Sequence, residues 1–114
     1  MLESTEDFIM KDEFKDKKIL IIGSKFKDDY TRQLSYAGAE LVWHESFSDN
    51  ESRIDDIALS CDVVIICTSH ISHSIFYKIK NLKDYSENNT KYQFIEKDNR
   101  RNIVHRIRYS LCNS

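Results

Sequence analysis

The stretch "CDVVIICTSHISHSIFYKIK", residues 61–80, decides the fold. Its first part, "CDVVIICT" from Cys61 to Thr68, is an apolar run rich in β-branched residues, the pattern of a strand buried on both faces, as parallel sheets require. The period then changes. Ile71, Ile75, Ile79 and, further on, Leu82 recur every three or four residues, which predicts an amphipathic helix. Between strand and helix lie Thr68, Ser69, His70, Ser72 and His73, a turn crowded with hydroxyl and imidazole groups.

The same succession repeats on either side. "KKILIIG", Lys17 to Gly23, is a second buried-strand run ending in glycine. Asp28 or Asp29 can cap the next helix, which runs through Ala37, and Gly38 is placed to stop it. "AELVWHE", residues 39–45, predicts the next strand, and the polar loop "SFSDNES" leads to a helix starting near Ser52 with Ile54, Ile57 and Ala58 facing inward. After residue 80, "YQFIEK" predicts a fourth strand. "RRNIVHRIRYSLC" closes the chain as a helix with Ile103, Ile107 and Leu111 on one face. No internal repeat or low-complexity segment interrupts this order.

Four alternations of strand and helix predict an α/β fold: a small three-layer, flavodoxin-like or Rossmann-like domain on a four-stranded parallel sheet. The order 2-1-3-4 puts the two most apolar strands in the middle and the polar ones at the edges. Residues 17–114 form this single domain. Residues 1–16 form an N-terminal arm or a short amphipathic helix, with Phe8, Ile9 and Phe14 among many charges.

In such sheets ligands bind beyond the carboxyl ends of the strands, where the chain changes direction between the first and third strands. The loops there are "GSKFK" from Gly23, "TSHISH" from Thr68, and "KDNRR" from Lys97. They bring Gly23, Ser24, Lys25, Lys27, Thr68, Ser69, His70, His73 and Arg100 toward one rim, with Lys97 and Arg101 beside them. Free N–H groups at helix starts suit that rim to an anion such as phosphate or carboxylate. "GSKFK" lacks the further glycines of a dinucleotide fingerprint and the GK[ST] ending of a P-loop, so the usual pyrophosphate cradle is disfavoured.

Blander readings stand beside each feature. Ser69 and Ser72 are ordinary helix N-caps, and loop lysines are commonly just solvated. His70 and His73, three apart, share a face if both are helical, but two ligands do not make a metal site; Cys67 or His44 would be needed as a third, without supporting spacing. Cys67 ends a buried strand, where cysteine serves as a small apolar residue rather than a nucleophile. Trp43, with Phe47 nearby, could stack on a base, but its place in a strand favours the core. Arg100, Arg101, Arg106 and Arg108, with His105 and Tyr109, give the last helix a basic stripe, ordinarily a solvated face and otherwise a surface for RNA, DNA or an acidic protein. These residues specify no catalytic set, no metal and no cofactor.

Composition narrows the classes further. The chain has 114 residues, 40% apolar and 32% charged, with a net charge of −2. That balance suits one soluble domain without an apolar run that could cross a bilayer. The slightly acidic charge gives no general attraction to nucleic acid, which is disfavoured as a partner. The first residues show neither a basic start nor an apolar signal core, and three cysteines without CxxC spacing fit reduced thiols, so a cytoplasmic location is expected. No proline and two glycines, Gly23 and Gly38, let regular elements run long.

At "VVIICTSHISHSIFYKIK" the chain resembles the bacterial family known as domain of unknown function 2325. The likeness runs from the strand Ile19 to Gly23, through Gly38, to Asp62–Ile65 and the turn holding Thr68 and His73, with Lys78 and Lys80 on the helix beyond. It spans roughly residues 18–107 and leaves the N-terminal arm outside; His70 in the turn departs from the family pattern. The resemblance implies this fold and a site at Thr68 and His73, without a substrate. The expectation is a non-enzymatic binding domain for a small nucleotide- or phosphate-like anion. The alternative is a protein-interaction or regulatory module, acting as a homodimer or on another protein, in a mobile-element or defence setting. A hydrolase or redox enzyme using His73 and Cys67 comes third.

Overall fold

The computed structural model describes residues 9–44 and 53–113. Four strands, β1 (Lys18–Ile22), β2 (Glu40–His44), β3 (Val63–Cys67) and β4 (Tyr92–Ile95), form an all-parallel sheet in the order β2-β1-β3-β4. Four helices follow them in turn: α1 (Lys27–Tyr36), α2 (Ile54–Ser60), α3 (His73–Asp84) and α4 (Arg100–Cys112). The domain is thus the small three-layer, flavodoxin-like α/β fold expected from the strand and helix pattern.

The central strands explain why the sheet lies between two helical layers. Successive side chains of a strand point to opposite faces. Ile19 and Ile21 of β1, with Val63, Ile65 and Cys67 of β3, pack beneath Tyr30 and Leu34 of α1 and Ile103, Val104 and Ile107 of α4. Leu20 and Ile22, with Val64 and Ile66, pack on the other face against Ile54 and Ala58 of α2 and Ile75 and Ile79 of α3. Each such side chain, fully buried, contributes roughly 1.5–3 kcal/mol of transfer free energy. Partly buried Trp43 packs against the first cluster, in keeping with its reading as core.

Gly38 ends α1 as the sequence predicts. Its φ of 78° is left-handed, its N–H donates to Ser35 O, and the Ala39 N–H donates back to Leu34 O. This Schellman pairing needs a residue without a Cβ penalty. A Cβ there would also lie 3.1 Å from Asp12 Oδ1 and 3.2 Å from Lys15 Cα.

Two local expectations change. Residues 11–16 form turns rather than a helix, and they are joined to the domain: Asp12 N–H donates to Tyr36 O, Phe14 N–H to Ala37 O and Asp16 N–H to Gly38 O. Ile9 and Phe14 are buried in the first cluster. Glu13 meets Arg108 of α4 at 2.6 and 3.0 Å, and that guanidinium lowers the Glu13 pKa below the ordinary carboxylate range. This segment therefore covers one edge of the α1–α4 layer. Nor do Asp28 and Asp29 cap α1: the N-cap is Phe26, without a side-chain cap, and both aspartates lie in the first turn. There they face the positive end of the helix dipole. The predicted "SFSDNES" loop and Phe8 lie outside the described residues.

Candidate functional site

The carboxyl ends of β1, β3 and β4 form the rim. Gly23, at φ 81°, turns the chain out of β1 and donates its N–H to His44 O on β2 at 3.3 Å. A residue on a different loop organises the turn beyond it. Asp98, between β4 and α4, accepts the Ser24 hydroxyl at 2.9 and 2.8 Å, the Lys25 N–H at 2.9 Å and the Tyr30 hydroxyl at 2.8 Å. Ser24 Oγ in turn accepts the Phe26 N–H at 3.2 Å. Charge-assisted bonds of this kind are among the stronger ones in proteins.

Cys67, the last residue of β3, places its thiol against the same carboxylate. Burial pushes its pKa up to about 12, and the Asp98 charge and hydrogen bond add to the effect. Tyr30 is shifted upward too, by burial first and then by its bond to Asp98. Both groups keep their protons, and the Tyr30 hydroxyl donates to Asp98. Asp98 therefore reaches from the loop after the edge strand β4, past the end of β3, to the loop after β1. Its path crosses the β1–β3 crevice, the place where the strand order reverses.

The β3–α3 loop is fastened from the other side. Thr68 donates its hydroxyl to Ile95 O at 3.2 Å, and Ser69 donates to Glu96 O at 2.7 Å. Ser72, by contrast, is a true N-cap of α3, accepting the Ile75 N–H at 3.2 Å. The expectation that Ser69 caps the helix is thus corrected. Thr68 to His70 form one 3₁₀ turn, Ile71 and Ser72 are extended, and α3 opens at His73. That break puts His70 and His73 on different elements rather than on one helical face.

His73 is exposed, and its ring stacks on Tyr77 with centroids 6.5 Å apart and an interplanar angle of 23°. Phe76 meets Tyr77 edge-on at 5.5 Å and Phe94 at 5.4 Å. Thr68, Ile71, Ser72, His73, Phe76 and Tyr77 line a groove of about 270 Å³ at the start of α3. Its lining combines aromatic and aliphatic side chains with the hydroxyls of Thr68 and Ser72.

The remaining predicted residues divide between these two places. Lys25 and Lys27 are exposed on the β1 side. Arg100, the first residue of α4, pairs with Asp29 at 3.1 Å, so its charge is directed at α1 rather than at the crevice. Arg106 donates to Gln93 at 3.1 Å and Arg108 is held by Glu13, which leaves less of the α4 stripe to a polyanion than the sequence suggests. Among the described residues no group of three or more His, Cys, Asp or Glu side chains could hold a metal ion. Sequence reasoning missed Asp98, Tyr30 as its donor, and the pair Phe76 and Tyr77. Asp98 stood in the quoted "KDNRR" loop but looked like one acid among cations. Comparison with protein-family models, curated proteins and solved structures gives no match for the chain.

Proposed function

We propose that this chain is a non-catalytic α/β binding domain that takes a small anionic ligand, a nucleotide or other phosphate-bearing molecule, in the groove where α3 begins. The observation that carries the reading is the meeting of a helix start with an aromatic wall on the carboxyl-end rim. Ser72 takes the Ile75 N–H, but the N–H groups of His73 and Ser74 before it have no acceptor within the helix, and its dipole favours negative charge there. His73 stands at that first position with an imidazole able to donate, and Phe76 and Tyr77 offer faces for a base or other flat group. Lys25 and Lys27 contribute positive potential on the same rim.

The groove is small for a ligand site, which suits a phosphate with one ring rather than a dinucleotide. Thr68 and His73 are also the positions to which the resemblance to the domain of unknown function 2325 family points. Thiolate chemistry gains no support here, because the Cys67 thiol is buried and its pKa raised. Calorimetric titration with AMP, ADP, ATP and inorganic phosphate tests the reading. Saturable heat that weakens at least about tenfold in His73→Ala is expected. No saturable heat at millimolar nucleotide, or binding indifferent to His73→Ala, overturns it.

A second reading has one observation in its favour: Phe26, which precedes α1, and Tyr77, in the second turn of α3, are 49% and 58% exposed. Aromatic side chains in that state suit a protein partner or a second copy of the chain. Light scattering over micromolar concentrations separates the two, since a monomer that binds nucleotide supports the ligand site alone. No helix among the described residues is long and apolar enough to cross a membrane.

A further inference from the structure

The crevice between β1 and β3 is the usual ligand position in this topology, yet here the chain itself crosses it. Three donors from the β1–α1 side, Ser24 Oγ, Lys25 N and Tyr30 Oη, converge on the two oxygens of Asp98 at 2.8–2.9 Å. Hydroxyls and a backbone amide closing on one carboxylate from separate elements are also the means by which proteins hold a free carboxylate or phosphate. The segment carrying Asp98 is short and bears main-chain bonds to Thr68 and Ser69 at its start and the Asn99 cap of α4 at its end.

We propose that residues 96–99 are an autoinhibitory strap over this crevice, in which the Asp98 carboxylate occupies the place of an external phosphate or carboxylate on Ser24 and Lys25. The inference deepens the anion-binding reading by adding a second, self-occupied position on the same rim, and it rests on that reading for the class of ligand. With Asp98 in place, an anion must displace a covalently tethered competitor of the same charge, so the apparent affinity falls by the fraction of molecules with the strap open. Ligand at this position and strap closure exclude each other.

The test follows backbone amide signals by NMR during titration with inorganic phosphate, in the wild-type chain, Asp98→Asn and Asp98→Ala. Asp98→Asn keeps the shape and supplies a folded variant should the alanine form not fold; circular dichroism establishes the fold of each. Expected is a saturable shift at the Lys25 and Phe26 amides in the variants, at least about tenfold tighter than in the wild-type chain. Lys25 and Phe26 amides that stay unmoved in a folded variant at phosphate on the order of tens of millimolar overturn the strap, as does equal response in the wild-type chain. The His73 and Ser74 amides report separately on the α3 groove. Response there without response at Lys25 removes the strap alone, and response at Lys25 without response there removes the groove while the strap stands.

Discussion

The two halves of the rim begin alike and end differently. Both β1 and β3 are buried strands that give way to a short polar turn and then a helix. After β1, the amide of Lys25 and the hydroxyls of Ser24 and Tyr30 are all engaged by Asp98. After β3, the hydroxyls of Thr68 and Ser69 are engaged by carbonyls at the end of β4, but the start of α3 faces an open groove with His73 and Tyr77 on its wall. The difference comes from neither loop's own sequence. It comes from one carboxylate delivered by the loop after β4, which closes the first half and leaves the second open.

The largest contrast concerns thiols. Cys67 lies under the closed half, and raising its pKa from the usual 9.0 to about 12 leaves it almost wholly protonated at pH 8. The raised pKa leaves far less thiolate than an ordinary cysteine has, and burial also keeps the reagent out. Exposed Cys112 is the internal control. Alkylation followed by peptide mass spectrometry is expected to mark Cys112 rapidly and Cys67 only on unfolding. Comparable rates at the two would mean that the closed half opens freely.

Removing the carboxylate comes next. Asp98→Ala leaves the Tyr30 hydroxyl and the Lys25 amide without their acceptor, and chemical denaturation is expected to show a loss of about 3 kcal/mol. A domain of ordinary stability remains folded after such a loss. A loss under about 0.5 kcal/mol would show water replacing the carboxylate without cost and would erase the contrast between the two halves.

The strands, their order and the four helices were legible because burial on two faces and helical spacing are written locally, as in Val63–Cys67 and in Ile75 and Ile79. Gly38 was legible for the same reason: one residue type satisfies the left-handed turn. Asp98 was not. Its role depends on a contact between residues 74 positions apart in the chain, from Ser24 to Asp98, and local pattern carries no such information. Phe14 was hidden in a similar way, since its charged neighbours mask an apolar contact that exists only once α1 and α4 have come together. His73 was found, but the 3₁₀ break that separates it from His70 turns on where Thr68 and Ser69 find acceptors, and those lie at the end of β4.

Tyr30 sharpens the comparison at smaller scale. Its ring belongs to the core and its hydroxyl to the closed half, so Tyr30→Phe keeps the packing and deletes one donor. A loss of about 1.5–3 kcal/mol in denaturation is expected, the range for one hydrogen bond with a charged acceptor. In the Asp98→Ala background the same change is expected to be nearly silent, because the two side chains act through one contact. Additive losses would place the Tyr30 hydroxyl in some other interaction.

The smallest stability effect belongs to the open half. His73 is exposed at the first position of α3, where alanine propagates a helix well and Ser72 continues to cap it. His73→Ala is therefore expected to change stability by less than about 0.5 kcal/mol, while ligand affinity in the groove drops about tenfold or more. The separation of the two readouts is what distinguishes a binding residue from a structural one. Should His73→Ala destabilise the fold as much as Asp98→Ala does, the stacked ring on Tyr77 would be serving the scaffold, and both halves of the rim would be joints.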